Sequence, residues 1–307
     1  MFRVAVLMST YNGEKYLREQ IDSVLNQEGV ETELFVRDDG SSDGTPEQLS
    51  AYAAENKKVH VFFEKNVGVG NSFMNLLYSV PSDFDYYAFA DQDDIWCRDK
   101  LQKAVETLLQ SGKLLYASNQ ECVDQDGCSI GIRYSDNADI HLSPISILTE
   151  NMLAGCTMVF PRKFYEILSD KEHRPGEELL KNRIHDVWVA MAAALYDGLI
   201  YDKRSFIKYR QHANNVVGAK KPSLKKRIKA KLQKFSDKSL RCGRSKLARE
   251  VVKKFPLQAK NFALIGICAD AKTCKGKRLL LKNGKILRTF SKESRWSFGC
   301  KVIFGLF

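Results

Sequence analysis

Asp91, Asp93 and Asp94 set three carboxylates within four residues, directly after the apolar and aromatic run Tyr86-Tyr87-Ala88-Phe89-Ala90. A fourth carboxylate, Asp85, stands at the other end of that run. Carboxylates this close repel one another unless a cation lies among them. Oxygen donors at the exit of a strand suit Mg²⁺ or Mn²⁺ that is itself clamped by phosphates; the plainer reading is a solvated acidic turn. Two further polar loops lie upstream. Ser9-Thr10-Tyr11-Asn12-Gly13-Glu14 offers hydroxyl, amide and backbone N–H groups where a helix begins, a setting for a phosphate or a base edge, with Tyr11 able to stack on a base. A simple helix cap would use the same residues. Asp38-Asp39-Gly40-Ser41 presents a carboxylate that can accept from the imide N–H of uracil or thymine, or from ribose hydroxyls. An Asx-turn is its structural alternative. Gly68-Val69-Gly70-Asn71-Ser72-Phe73 begins like a dinucleotide fingerprint, but Phe73 replaces the last glycine, so it reads as a turn with Asn71 capping a helix.

Positioning such loops requires strands that alternate with helices. Residues 3–8, 33–37, 59–63 and 86–90 have the apolar character of buried strands. The segments 14–27, 71–80 and 99–109 read as helices, and a further helix starts at Thr45-Pro46-Glu47, with Thr45 as cap and Pro46 at the first helical position. That alternation predicts an α/β fold with a mostly parallel sheet and helices on both faces, whose ligands sit beyond the carboxyl ends of the strands. Farther on, 114–123, 157–160 and 205–210 read as strands, with an Asp126-Gly127 turn after the first, and 185–196 as a helix closed by Gly198.

The chain has 307 residues, 44% apolar and 28% charged, as expected of a soluble globular protein. Eight dispersed cysteines show neither zinc spacing nor a disulfide pattern and read as cytosolic thiols. The apolar start of the chain is too short for a signal peptide, and no run approaches the roughly 20 apolar residues of a membrane span. The net charge of +11 hides a division: residues 219–307 hold 26 basic and four acidic residues, whereas 1–218 hold 22 basic and 33 acidic. Two parts of opposite sign imply two physical tasks. Leu224, Ile228, Leu232 and Phe235 recur at helical spacing among lysines, and the segment 296–307 is aromatic and apolar. Both suit an anionic membrane surface. A nucleic-acid backbone is the rival partner, disfavoured by the acidic first part, and a solvated helical bundle is the plainest reading.

Ser-Thr-Tyr-Asn-Gly-Glu (9–14), Asp-Asp-Gly-Ser-Ser-Asp-Gly-Thr (38–45) and Asp-Gln-Asp-Asp-Ile-Trp (91–96) resemble the successive signatures of family 2 glycosyltransferases. Ala154-Gly155-Cys156-Thr157-Met158, His185-Asp186-Val187-Trp188 and Tyr209-Arg210-Gln211-His212-Ala213-Asn214-Asn215 resemble the rhamnosyltransferase-like branch of bacterial surface-polysaccharide assembly. The resemblance covers about residues 3–218 and implies a GT-A fold there, with 219–307 as a basic helical appendage. It implies that Thr10, Tyr11, Asn12, Glu14, Asp38 and Asp39 hold the nucleotide, Asp38 at the base, and that Asp91 contacts the ribose. Asp93 would ligate Mn²⁺ or Mg²⁺, with Asp94 nearby, and Asp186 would be the general base. An aspartate in a helix's first turn also complements the helix dipole, which is the structural alternative for Asp186. His212 would be a third metal ligand, a β-phosphate contact or a structural residue. Trp96 and Trp188 would line the sugar or acceptor site or belong to the core, and Gly155 and Thr157 would shape the acceptor-side loop.

The expected activity is inverting transfer of a sugar, L-rhamnose from dTDP-rhamnose, from a nucleotide-diphosphate donor to a lipid-linked oligosaccharide at the inner face of the cytoplasmic membrane. UDP-hexose or UDP-N-acetylhexosamine donors are the near rival. A nucleotidyltransferase would want a Gly-rich basic loop after the first strand, where this chain has an acidic, hydroxylic one. A non-catalytic membrane or nucleic-acid binding protein would not need Asp91, Asp93 and Asp186 intact.

Overall fold

A computed structural model describes residues 1–181, 185–211, 242–259, 261–291 and 293–307. The first part runs β1 (Phe2–Thr10), α1 (Leu17–Leu25), β2 (Val30–Asp38), α2 (Thr45–Glu55), β3 (Val59–Phe63), α3 (Val69–Ser79), β4 (Tyr86–Ala90), β5 (Ile95–Trp96) and α4 (Lys100–Ser111). The second runs β6 (Leu115–Val123), β7 (Ser129–Ile132), α5 (Pro144–Thr149), β8 (Val159–Pro161), α6 (Arg162–Ser169), α7 (Glu177–Leu180), α8 (His185–Leu195) and β9 (Leu199–Arg210). Among the described residues six helices follow: α9 (Gly243–Lys254), α10 (Pro256–Ala259), α11 (Ala263–Ala269), α12 (Cys274–Lys282), α13 (Gly284–Ser291) and α14 (Arg295–Ile303).

The strands form one sheet in the order β3-β2-β1-β4-β8-β6-β9-β5, with β7 paired to β6. β1, β2, β3 and β4 are parallel, as the βα alternation requires, and β6 with β9 is parallel as well. β8 enters antiparallel to both β4 and β6 and joins the two parallel groups. Alternate residues of β1 bury on opposite faces. Val4, Val6 and Met8 pack with α1 and α4 residues such as Ile21 and Leu101, while Ala5 and Leu7 pack with α3 and α8 residues such as Phe73 and Val189. Both faces are therefore covered, which explains why the strands read as continuous apolar runs.

Local chemistry differs from the sequence expectation at three places. Thr45 opens α2, but its hydroxyl accepts from the Gly13 N–H at 2.9 Å, tying the first loop to the second instead of capping its own helix. Asn71 lies inside α3, which begins after Gly68 at φ +84°; its amide donates to the Val67 and Glu177 carbonyls. At the end of α8 the left-handed residue is Asp197 (φ 51°), and Gly198 follows it with its N–H on the Ala193 carbonyl at 2.9 Å. Glycine is needed at 198 for room, since a Cβ there would meet the Leu114 side chain at 2.8 Å. The strands β5 and β7 were not expected; each is too short to carry a periodic signal.

Helices α9–α14 share the core of the sheet domain. Phe255 lies fully buried, stacked on His173 at 4.6 Å and tilted against Trp188 at 5.7 Å. The terminal aromatic segment divides, with Phe298, Val302 and Phe307 inside and Trp296, Ile303 and Phe304 outside. The amphipathic stretch 224–235 lies outside the described residues, as does His212.

Candidate active site

Three loops at the carboxyl ends of β1, β2 and β4 are bonded into one platform. Asp38 is buried and accepts from the Thr10 hydroxyl at 2.9 Å, the Ser41 hydroxyl at 2.6 Å and the Ser41 N–H at 2.9 Å. Asn12, in the left-handed region at φ 49°, donates its N–H to the Ser41 hydroxyl and accepts from the Ser42 N–H, both at 2.8 Å. Glu14 accepts from the Gly44 N–H at 3.0 Å. Tyr11 is half exposed; its N–H donates to Gln92 and its carbonyl accepts from the same side chain, at 2.8 and 3.1 Å. Beside Asp38 an open cleft of about 540 Å³ is lined by Ser41, Pro46, Phe63 and Lys65. Thr10, Tyr11, Asn12, Glu14 and Asp38 are thus brought together. Asp39 joins them through its backbone, its N–H donating to the Thr10 carbonyl at 2.8 Å, while its side chain is engaged elsewhere. Its buried carboxylate accepts from the Val67 and Gly68 N–H groups at 3.0 Å and pairs with Arg37 at 3.3 Å, bracing the turn into α3.

In the acidic loop Asp91 and Asp93 are partly exposed and Asp94 is fully buried. Donor atoms of Asp91, Asp94 and Cys156 lie within 4.8 Å of one another. Burial, and then Asp93, push the Asp91 carboxyl up to about 7; burial, Asp93 and Asp91 push Asp94 well above the usual range. The Cys156 thiol is likewise raised by burial and by Asp94 and Asp91, and accepts from the Gln120 amide at 3.2 Å. Asp94 Oδ2 is buried and makes no hydrogen bond. An array of raised carboxyls around an unpaired oxygen has the donor set and the excess negative charge that a divalent cation would relieve.

Arg210, at the end of β9, holds this loop from behind. Its N–H donates to Asp94 Oδ1 at 3.1 Å, and its guanidinium donates to the carbonyls of Asp93 at 3.1 Å and Gln125 at 2.9 Å and pairs with Glu19. Lys100 is buried under the same loop with Nζ 3.5 Å above the Trp96 ring, and burial pushes its pKa down to about 7. Sequence reasoning passed over Arg210, Cys156 and Lys100 as individual residues, although the first two stand inside the segments that carried the resemblance.

Asp186 lies buried in the first turn of α8. The tight turn Gly155–Thr157 leads from it to the acidic loop. A Cβ on Gly155 would come within 2.5 Å of His185 Nε2 and 3.4 Å of the Asp186 Cβ, and the next residue, Cys156, joins Asp91 and Asp94. Adjacent Cα atoms are about 3.8 Å apart, so Asp186 and the acidic loop both lie close to this turn. His185 is enclosed by Phe73 at 3.9 Å and Phe89 at 4.7 Å, and burial lowers its pKa to about 3, which keeps it neutral. On the acceptor side the two tryptophans take the core alternative, and Thr157 belongs to the turn Gly155–Thr157. Trp188 is a core residue against Phe255, Trp96 is buried beneath Lys100, and Thr157 is fully buried with its hydroxyl on the Ala154 carbonyl at 2.8 Å.

The family model described as glycosyl transferase family 2 matches residues 5–164. The dTDP-rhamnosyl transferase RfbG of Shigella flexneri is 30% identical over 223 residues, 69% of this chain and 74% of that protein. The putative teichuronic acid biosynthesis glycosyltransferase TuaG of Bacillus subtilis is 31% identical over 125 residues, 40% of this chain and 49% of that one. Among solved structures, residues 1–349 of Staphylococcus aureus TarS superpose with a TM-score of 0.59 at 15% identity, covering 99% of this chain and 92% of that one. The chain is a glycosyltransferase with the GT-A fold, and it belongs to glycosyl transferase family 2.

Proposed function

We propose that this enzyme transfers a sugar, with inversion, from a nucleoside diphosphate donor to a lipid-linked saccharide during assembly of a bacterial surface polysaccharide. L-rhamnose from dTDP-rhamnose is the donor favoured by the likeness to RfbG over two thirds of the chain. The carrying observation is the turn at Gly155 and Cys156: a Cβ on Gly155 would lie 3.4 Å from the Asp186 Cβ, and the next residue, Cys156, meets Asp91 and Asp94. Asp38 and Tyr11 bind the base at the cleft, and Thr10 holds the Asp38 carboxylate in the orientation that accepts an imide N–H. Asp93 would hold Mn²⁺ or Mg²⁺, with Asp94 nearby and Asp91 at the ribose, and the close approach of Asp91, Asp94 and Cys156 supports a cation in this loop. When bound, the cation compensates the charge that develops on the departing diphosphate. Asp186 takes the proton from the acceptor hydroxyl as that oxygen attacks the anomeric carbon. A UDP-linked sugar is the second reading, since TarS, of the same fold, has been solved with UDP-GlcNAc and an aspartate at the base serves uracil and thymine alike.

Among the described residues no helix is long and apolar enough to cross a membrane. The basic part of the chain, 219–307, is the segment we assign to the inner face of the cytoplasmic membrane, where a lipid-linked acceptor is met. The test is a screen of nucleotide sugars for Mn²⁺- or Mg²⁺-dependent transfer or donor hydrolysis. Asp93→Ala and Asp186→Ala should each lower turnover at least ~100-fold, only the former also weakening nucleoside diphosphate binding. Wild-type turnover in both variants would remove the assignment.

A further inference from the structure

The outward face of the last three helices carries apolar side chains that the core leaves uncovered. On α14, Phe298 and Val302 point inward, while Trp296, Ile303 and the adjoining Phe304 are 82%, 58% and 67% exposed. Trp296, Cys300 and Ile303 fall at i, i+4 and i+7, so the exposed residues share one side of the helix. Lys277 of α12 donates to the Ile303 carbonyl at 2.9 Å. That bond sets the outer side of α12, where Arg278, Leu281 and Lys282 are exposed, beside the end of α14. Arg295 is exposed next to Trp296. Acidic residues are nearly absent: of the two between 261 and 307, Glu293 is enclosed by Arg244 at 2.8 Å and Lys301 at 2.7 Å.

We propose that this face, with Trp296, Ile303 and Phe304 as the inserted wedge and the cations of α12 and α14 around it, docks on an anionic bilayer surface. The charge selects the occupant. A protein core would leave Arg278, Lys282 and Arg295 unpaired, whereas acidic headgroups neutralise them while the acyl boundary takes the aromatics. The inference names the contact surface for the membrane association proposed above and rests on that reading. It also changes how the association must be tested, because α9–α14 share the core of the sheet domain and cannot be deleted without exposing it.

Tryptophan emission supplies the readout. Of the three tryptophans, Trp96 and Trp188 are 3% and 1% exposed, so Trp296 alone can move from water into lipid. The full chain titrated with phosphatidylglycerol–phosphatidylcholine vesicles should show a blue shift and quenching by brominated acyl chains, both absent in Trp296→Phe. Ile303→Ser with Phe304→Ser should weaken partitioning at least about tenfold. Arg278→Gln and Lys282→Gln should cost about fivefold each, and phosphatidylcholine alone should give little response. These positions are exposed, so unchanged thermal unfolding of the variants confirms that the fold is intact. Cosedimentation with no change in Trp296 emission would overturn this face and leave membrane binding to another. No cosedimentation would overturn both the face and the membrane reading. An equal response to neutral vesicles, or self-association lost in Trp296→Phe, would also overturn the proposal. No donor is present in the titration, so none of these results bears on the transferase reading.

Discussion

Replacing Gly155 with alanine puts a methyl group where the structure has none to spare. The added Cβ would lie 2.5 Å from His185 Nε2 and 2.9 Å from Cε1. Ordinary contact begins near 3.5 Å, so the imidazole must retreat by about 1 Å. Phe73 and Phe89 enclose the ring, which leaves it little room to retreat. Overpacking of this kind costs about 1–3 kcal/mol. For a chain of this length, with about 2 cal/mol/K of unfolding entropy per residue, that is a fall of about 2–5 °C in Tm by calorimetry. His185 precedes Asp186 on α8, so the displacement passes to the neighbouring carboxylate. A misplacement near 1 Å costs about 100-fold in rate where geometry governs the step. In a Gly155→Ala, His185→Ala double variant the methyl gains space, so the two changes should be less than additive by about 1 kcal/mol or more in stability. Equal Tm and transfer rate in Gly155→Ala, or strict additivity in the double variant, would refute the argument that this glycine exists to seat His185 against the turn.

Acid should destabilise the protein through His185. The folded state holds the ring neutral down to about pH 3, whereas the unfolded chain protonates it near 6.5, so stability falls as pH drops through about 6.5, approaching a limiting slope of about 1.4 kcal/mol per unit below pH 5.5. Urea unfolding at pH 7.0 and 5.5 should differ by about 1.3 kcal/mol from this ring, and His185→Gln should remove that difference; an unchanged difference sinks the assignment. Phe255→Ala should cost about 3–5 kcal/mol, because the ring is fully buried between His173 and Trp188. Unfolding should stay a single transition, and a separate early melting of α9–α14 would show that they do not share the core.

The platform was legible because strand alternation alone delivers the ends of β1, β2 and β4 to one edge, whatever the side chains do there. What each polar residue does on that edge was less legible. Asp38 and Asp39 are neighbours in sequence, yet one faces the cleft and the other the turn into α3, and only the pairing of β2 with β3 decides which. Arg210 escaped notice because its partners lie 116 and 191 residues away. No local pattern marks an arginine that will close such a loop. Trp96 and Trp188 suited a sugar-stacking role by type, but burial against Lys100 and Phe255 is a tertiary fact. His212 and the stretch 224–235 stand as sequence expectations.

The reciprocal bonds among the first three loops restrict how the donor platform can diverge. Asn12 is matched to Ser41 and Ser42, Glu14 to Gly44, and Tyr11 to Gln92 through both backbone groups. Lengthening one loop by a single residue would disengage its neighbours as well. A descendant that accepts a different nucleotide sugar would therefore be expected to keep the loop lengths and exchange side chains.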